Sequence, residues 1–167
     1  MLSTDRVVHD LYAVPEVRDA VVGRFGPDVA PGGVVDRRAV ADKVFGSEAD
    51  RQWLEALLWP RVGQRMADWR EEVDRRSPRP TAAVVEVPLL FESGMERAFD
   101  ATIAVTADET LRADRAAGRG HAAVAERTAR QLSQEEKAAR AAYVVINDGS
   151  REELETALSA VLDKLSG

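Results

Sequence analysis

Three groups of residues carry side chains that could do chemistry. The first is Asp5. It sits where a strand would hand over to a helix, and ligands of open α/β sheets bind at that carboxyl edge. A carboxylate there can orient a substrate hydroxyl or accept its proton. Asp is also among the best helix N-caps, and the residue alone fits either use. The second group is Val87-Pro88-Leu89-Leu90-Phe91-Glu92. Pro88 removes a backbone donor and stops the strand, leaving an apolar platform that ends in an acid. A substrate-facing loop and a packed strand end both fit that pattern. The third group is the arginines between positions 112 and 140. Arg115 and Arg119 are four apart and share a helix face. Gly118 and Gly120 loosen the chain around Arg119, and Arg127, Arg130 and Gln131 follow. Two Arg-bearing helices joined at glycines can close over phosphates, and a solvated helix pair has the same composition.

The elements that must hold these groups follow from spacing. Residues 3–13 read as a helix entry with Val7, Val8 and Leu11 inward, capped by Ser3, Thr4 or Asp5. Pro15 and Gly26-Pro27 bracket a helix carrying Val17, Val21, Val22 and Phe25. A short helix covers 37–45. A long one covers 47–75, with Trp53, Trp59 and Trp69 read as core and Pro60 expected to kink or split it. Strands are predicted over 82–87, 102–105 and 143–146, short apolar runs of the kind buried on two faces of a parallel sheet. Helices are predicted over 108–118, 122–131 and 134–141. A last helix is capped by Ser150 and striped by Leu154, Leu158, Val161, Leu162 and Leu165. The class is α/β, a parallel sheet with flanking helices. Met1 to Asp5 reads as the end of a connection, not as the central strand with which such a domain should begin.

Composition narrows the function. The 167 residues suit one domain with a real core, and 45% hydrophobic with 31% charged residues is globular. A net charge of −6 argues against a nonspecific nucleic-acid binder. No run approaches the ~18 apolar residues of a membrane span, and the start is no secretory signal. With no cysteine and only His9 and His121, no disulfide, thiolate site or histidine metal cluster is implied. The composition suits the cytosol. Only Lys43, Lys137 and Lys164 are lysines among 23 basic residues. A GC-rich coding bias explains that preference, and guanidinium forks also suit phosphates.

Taken in order, these pieces resemble the dephospho-coenzyme A kinase family along essentially the whole chain. The matching stretches are Thr4 to His9 with Leu11; Asp36 to Val40 with Val44-Phe45; Leu54 with Leu57 to Pro60; Glu86 to Glu92; Arg115 with Arg119; Arg127 with Gln131; Lys137; and Ile146 to Ser150. The resemblance implies a P-loop-kinase-like fold in one domain. It has a sheet core, a helical region at about 14–80 for the coenzyme A portion and a lid at about 112–141. It implies transfer of the γ-phosphate of ATP, with Mg2+, to the 3′-hydroxyl of dephospho-coenzyme A. Under it Asp5 is the catalytic base. His9, Arg37, Pro88, Leu89, Leu90 and Glu92 lie on the substrate side. Arg115 and Arg119 neutralise phosphoryl charge and contact ATP, and Asn147, Asp148 and Gly149 lie near its adenine.

The departures from the family pattern are specific. No stretch of the 167 residues reads G-x-x-x-x-G-K-[ST], the loop whose N–H groups and lysine cradle the phosphates of ATP. The resemblance begins just downstream of that loop, so the sheet is expected to carry a gap. The usual Asp-x-Asp is Ser3-Thr4-Asp5, the usual His before proline is Trp59, and the usual Asp before the last strand is Ala142. Two readings follow. The chain is an active kinase's body, lacking about thirty residues of strand, loop and helix, with impaired transfer as it stands. Alternatively it binds coenzyme A or dephospho-coenzyme A without transfer.

Overall fold

A computed structural model describes residues 1–117 and 131–166. The chain divides into two compact units, Met1–Pro88 and Leu89–Gly167. The first holds β1 (Leu2–Ser3), α1 (Thr4–Leu11), α2 (Pro15–Phe25), α3 (Arg37–Val44), α4 (Glu48–Asp74) and β2 (Val85–Glu86). The second holds β3 (Ile103–Thr106), α5 (Glu109–Ala117), α6 (Gln134–Arg140), β4 (Tyr143–Ile146) and α7 (Arg151–Ser166). The helix predicted over 122–131, with Arg127 and Arg130, falls mostly outside the described residues, as do Arg119 and His121.

In the first unit, spacing dictates which face is buried. Thr4, Val7 and Leu11 line the inner face of α1, and Val17 and Val21, four apart, are fully buried on α2. They join Val29, Val35, Val40, Leu58 and Val62 in one cluster. Most of its members are valines, whose restricted χ1 makes them low-entropy filler. Pro15 opens α2, and Gly26 at φ 93° closes it, a conformation costly for any residue with a Cβ. Asp36 caps α3 by accepting the N–H groups of Arg38 and Ala39.

Of the kink or split expected at Pro60, the split does not occur: α4 runs through 27 residues. An internal proline costs about 3 kcal/mol, and Leu58 and Val62, each 6% exposed, anchor the helix on both sides of it. Trp59 is not core: it is 51% exposed, because the next residue along a helix turns about 100° away from the buried Leu58. Trp53 does pack, edge-on against Phe25 with ring centroids 5.5 Å apart.

Among the described residues four strands are present where three were expected. β1 pairs with β2 in parallel, Leu2 opposite Val85 and Ser3 opposite Glu86. The chain therefore starts with a strand, contrary to the reading of Met1 to Asp5 as a connection. In the second unit β3 and β4 pair in parallel from Ile103 opposite Tyr143 to Thr106 opposite Ile146. The strands form two two-stranded sheets, not one. Neither pair is buried on both faces: Glu86 is exposed in the first, and Val105, Val144 and Ile146 in the second. Asp108 caps α5 through the N–H groups of Thr110 and Leu111. Ser133 forms a capping box with Glu136 at α6, and Ser150 with Glu153 form another at α7.

Candidate active site

The first unit carries Asp5, His9, Arg37 and Pro88. Asp5 is the second residue of α1, not its N-cap, which is Ser3. Its carboxylate is exposed and has no hydrogen-bond partner among the described residues. Ser3 and Glu86 are register partners in a parallel pair, so Asp5 and Pro88 each stand two residues past the carboxyl end of adjacent strands. His9 follows Asp5 by four residues and shares the solvent face of α1. Arg37 opens α3 and is exposed. It acts electrostatically on Tyr12, the C-cap of α1. Burial pushes the Tyr12 phenol up, and the Arg37 charge partly offsets that.

The Pro88-to-Glu92 segment does not present all its residues to solvent. Pro88 and Leu89 are exposed, Leu90 is half-buried and Phe91 is buried. Within the second unit the Arg140 guanidinium lies 5.0 Å from the Phe91 ring centre. The Glu92 carboxylate is turned to protein: Oε1 accepts from Lys137 Nζ at 2.9 Å and from the Leu132 N–H at 3.1 Å. Its Oε2 is buried without a hydrogen-bond partner. Burial pushes the Glu92 carboxyl up, but Lys137 and the Leu132 amide outweigh it and hold the group below the usual carboxylate range. In this geometry Glu92 anchors α6, and the surface-facing part of the segment is Pro88 and Leu89.

The second unit brings Arg115 and the 147–149 loop together. Arg115 Nη1 donates to the Asn147 carbonyl at 2.8 Å. The Asn147 N–H donates to the Thr106 carbonyl at 2.7 Å, joining the ends of β4 and β3. Asp148 Oδ1 accepts the Asp108 N–H at 2.6 Å. At Gly149 a Cβ would lie 1.9 Å from Glu153 Oε2, so a side chain there would displace the carboxylate that accepts the Ser150 N–H in the α7 cap. Beside this loop is a cleft of about 330 Å3 lined by Ala138, Val144, Ile146, Gln134, Glu135 and Asp148. A mixed apolar and polar lining suits a partly polar ligand. No group of three His, Asp or Glu side chains among the described residues is placed to hold a metal ion.

Two side-chain ties in these frameworks have no counterpart in the sequence reading. Thr4 Oγ1 donates to the Glu86 carbonyl at 3.1 Å across the β1–β2 end. The Gln134 side-chain amide takes both main-chain groups of Ala107, each at 2.9 Å. Only a serine or threonine at a strand-to-helix junction hints at the first, and no local pattern announces the second.

Comparison with known proteins places this geometry in a family context. A family model described as dephospho-CoA kinase matches residues 3–153. The chain is 40% identical over 168 residues to the dephospho-CoA kinase of Deinococcus radiodurans, covering 99% of this chain and 80% of that protein. It is 37% identical over 155 residues to that of Thermus thermophilus, covering 91% and 74%. Its fold is similar to the crystal structure of TT1252 from Thermus thermophilus, with a TM-score of 0.76 at 35% identity, covering 99% of this chain and 84% of the other. The fold also matches the dephospho-CoA kinase from Campylobacter jejuni, with a TM-score of 0.67 at 22% identity over 99% of this chain and 84% of that one.

Proposed function

The chain belongs to the dephospho-CoA kinase family, and from that membership we propose its reaction in detail: the γ-phosphoryl group of ATP passes to the 3′-hydroxyl of the dephospho-coenzyme A ribose. The observation that carries the reading is the register of β1 and β2, which sets Asp5 and Pro88 just past the carboxyl ends of neighbouring parallel strands. Asp5 accepts the proton of the attacking hydroxyl at its exposed carboxylate. His9, on the same face of α1, and Arg37 contact the substrate, with Pro88 and Leu89 as the apolar platform. Leu90 and Glu92 support that platform, Glu92 through its tie to Lys137. Arg115 and Arg119 offset the charge that builds on the transferred group. Asn147, Asp148 and Gly149 border the base of ATP, and the cleft beside them supports that use.

ATP supplies the phosphoryl group. No cluster of three metal-ligating side chains occurs among the described residues, and Mg2+ enters the reading with the nucleotide phosphates, as such ions usually do. A second reading is binding of coenzyme A or dephospho-coenzyme A without transfer.

The test is ATP-dependent phosphorylation of dephospho-coenzyme A by the 167-residue chain. A second arm uses the chain prefixed with a strand and Gly-rich loop from a relative, and both arms are run with and without Asp5→Asn. The expected result is turnover that rises with the prefix and falls at least a hundredfold on substitution, within the range of a lost general base. Turnover unchanged by Asp5→Asn refutes the base assignment. Calorimetric binding of dephospho-coenzyme A with no turnover in either arm selects the second reading.

A further inference from the structure

Thr4 is the one buried polar residue recorded among the described residues, 7% exposed. Its hydroxyl donates to the Glu86 carbonyl at 3.1 Å. The register explains why that bond exists. The Leu2 N–H donates to the Val84 carbonyl at 2.9 Å. In a continued parallel ladder the next donor on this side would be the Thr4 N–H, aimed at the Glu86 carbonyl. The rung after that would need an N–H from Pro88, which has none. The chain instead turns into α1 at Thr4, and the Thr4 hydroxyl fills the place its own N–H would have taken. β1 can therefore end after two residues without leaving the Glu86 carbonyl bare.

Asp5 is the next residue, and the turn fixed by this bond sets where its carboxylate stands. We infer that Thr4 is a positioning residue for phosphoryl transfer, its hydroxyl locking the β1-to-α1 turn so that Asp5 faces the carboxyl end of the two strands. The inference rests on the reading of Asp5 as the base. Ser3, the N-cap, makes no side-chain capping bond, so Thr4 is the side chain that ties this turn to β2.

Thr4→Val keeps the β-branched shape and removes the donor, and Thr4→Ser keeps the donor. With saturating ATP, Thr4→Val is expected to lower kcat about tenfold, the scale of one buried hydrogen bond. KM for dephospho-coenzyme A should stay within about threefold, and Thr4→Ser should return kcat to within about twofold of the parent. In the Asp5→Asn background Thr4→Val should change nothing further. A second readout needs no turnover: the 13C resonance of the Asp5 carboxyl on addition of dephospho-coenzyme A. It should move in the parent and in Thr4→Ser and stay still in Thr4→Val. If Asp5→Asn abolishes activity while Thr4→Val keeps the parent kcat and the resonance response, the inference alone is overturned. If Asp5→Asn keeps full activity, or the Asp5 resonance in the parent ignores the substrate, the base reading fails and the inference with it.

Discussion

Lys137→Met removes an ammonium and keeps most of its stem. The parent pair has Nζ 2.9 Å from Glu92 Oε1, with side chains 23% and 16% exposed. After substitution Glu92 retains the Leu132 N–H on Oε1, and Oε2 still has no hydrogen-bond partner. Breaking a fully buried pair from one side costs about 3–5 kcal/mol, and an exposed pair is worth about 0–1 kcal/mol. Exposure of roughly a fifth puts this pair between them, at about 2 kcal/mol. For a chain of this length that is a fall of about 4–8 °C in Tm. The pH dependence has a fixed sign. The folded Glu92 carboxyl is held below its ordinary value, so the pair's contribution is full above the unfolded value of about 4.3 and disappears as pH falls through the lowered folded value. The gap between parent and variant should be constant from about pH 6 to 8 and narrow in acid. Because the chain has two compact units, the assay should follow the second one directly, by amide exchange at the buried Val145 alongside thermal melts. The double variant Glu92→Gln/Lys137→Met should lose less than Lys137→Met alone, since it leaves no unpaired charge. A loss below about 1 °C, or a gap that persists unchanged at about pH 3, would refute the reasoning.

Two further outcomes follow from burial. The Tyr12 phenol is raised by burial against the pull of Arg37. Its contribution to stability is therefore full below the unfolded value of about 10 and is lost as pH rises through the folded one; Tyr12→Phe should flatten alkaline denaturation, and a curve identical to the parent's would count against the burial argument. Leu58→Ala should cost about 2–5 kcal/mol in urea unfolding because its side chain is in the core. Trp59→Ser, one residue on, should stay within about 0.5 kcal/mol; equal losses at the two positions would mean the inward face of α4 is misassigned.

Features set by neighbours in sequence were legible in it. Pro15 and Gly26 bound α2, Ser150 caps the last helix as expected, and the i, i+4 valines found the core. β1 was missed because two residues carry no period; Leu2–Ser3 is a strand only by virtue of Val85–Glu86, far along the chain. Helical spacing of aromatics alone puts Trp59 inward, but the buried stripe through Leu58 and Val62 fixes the inward side and leaves Trp59 out. In the candidate site, Arg115 and the 147–149 loop were legible as separate pieces, and the bond between them was not. Glu92 is legible as an acid after an apolar run, whereas its tie to Lys137, far along the chain, is not. Side-chain bonds between distant segments depend on the completed fold, and that is where local pattern stops informing.

The Gln134 amide reproduces, with a single side chain, what a neighbouring strand would offer: one donor and one acceptor facing the N–H and C=O of Ala107. The Asn147 N–H donates to the Thr106 carbonyl, so Thr106 faces β4 and the groups of Ala107 face the opposite edge of β3. A stray peptide sliding along that open margin meets an occupied slot at Ala107. One glutamine thus guards that side of the strand end against strangers.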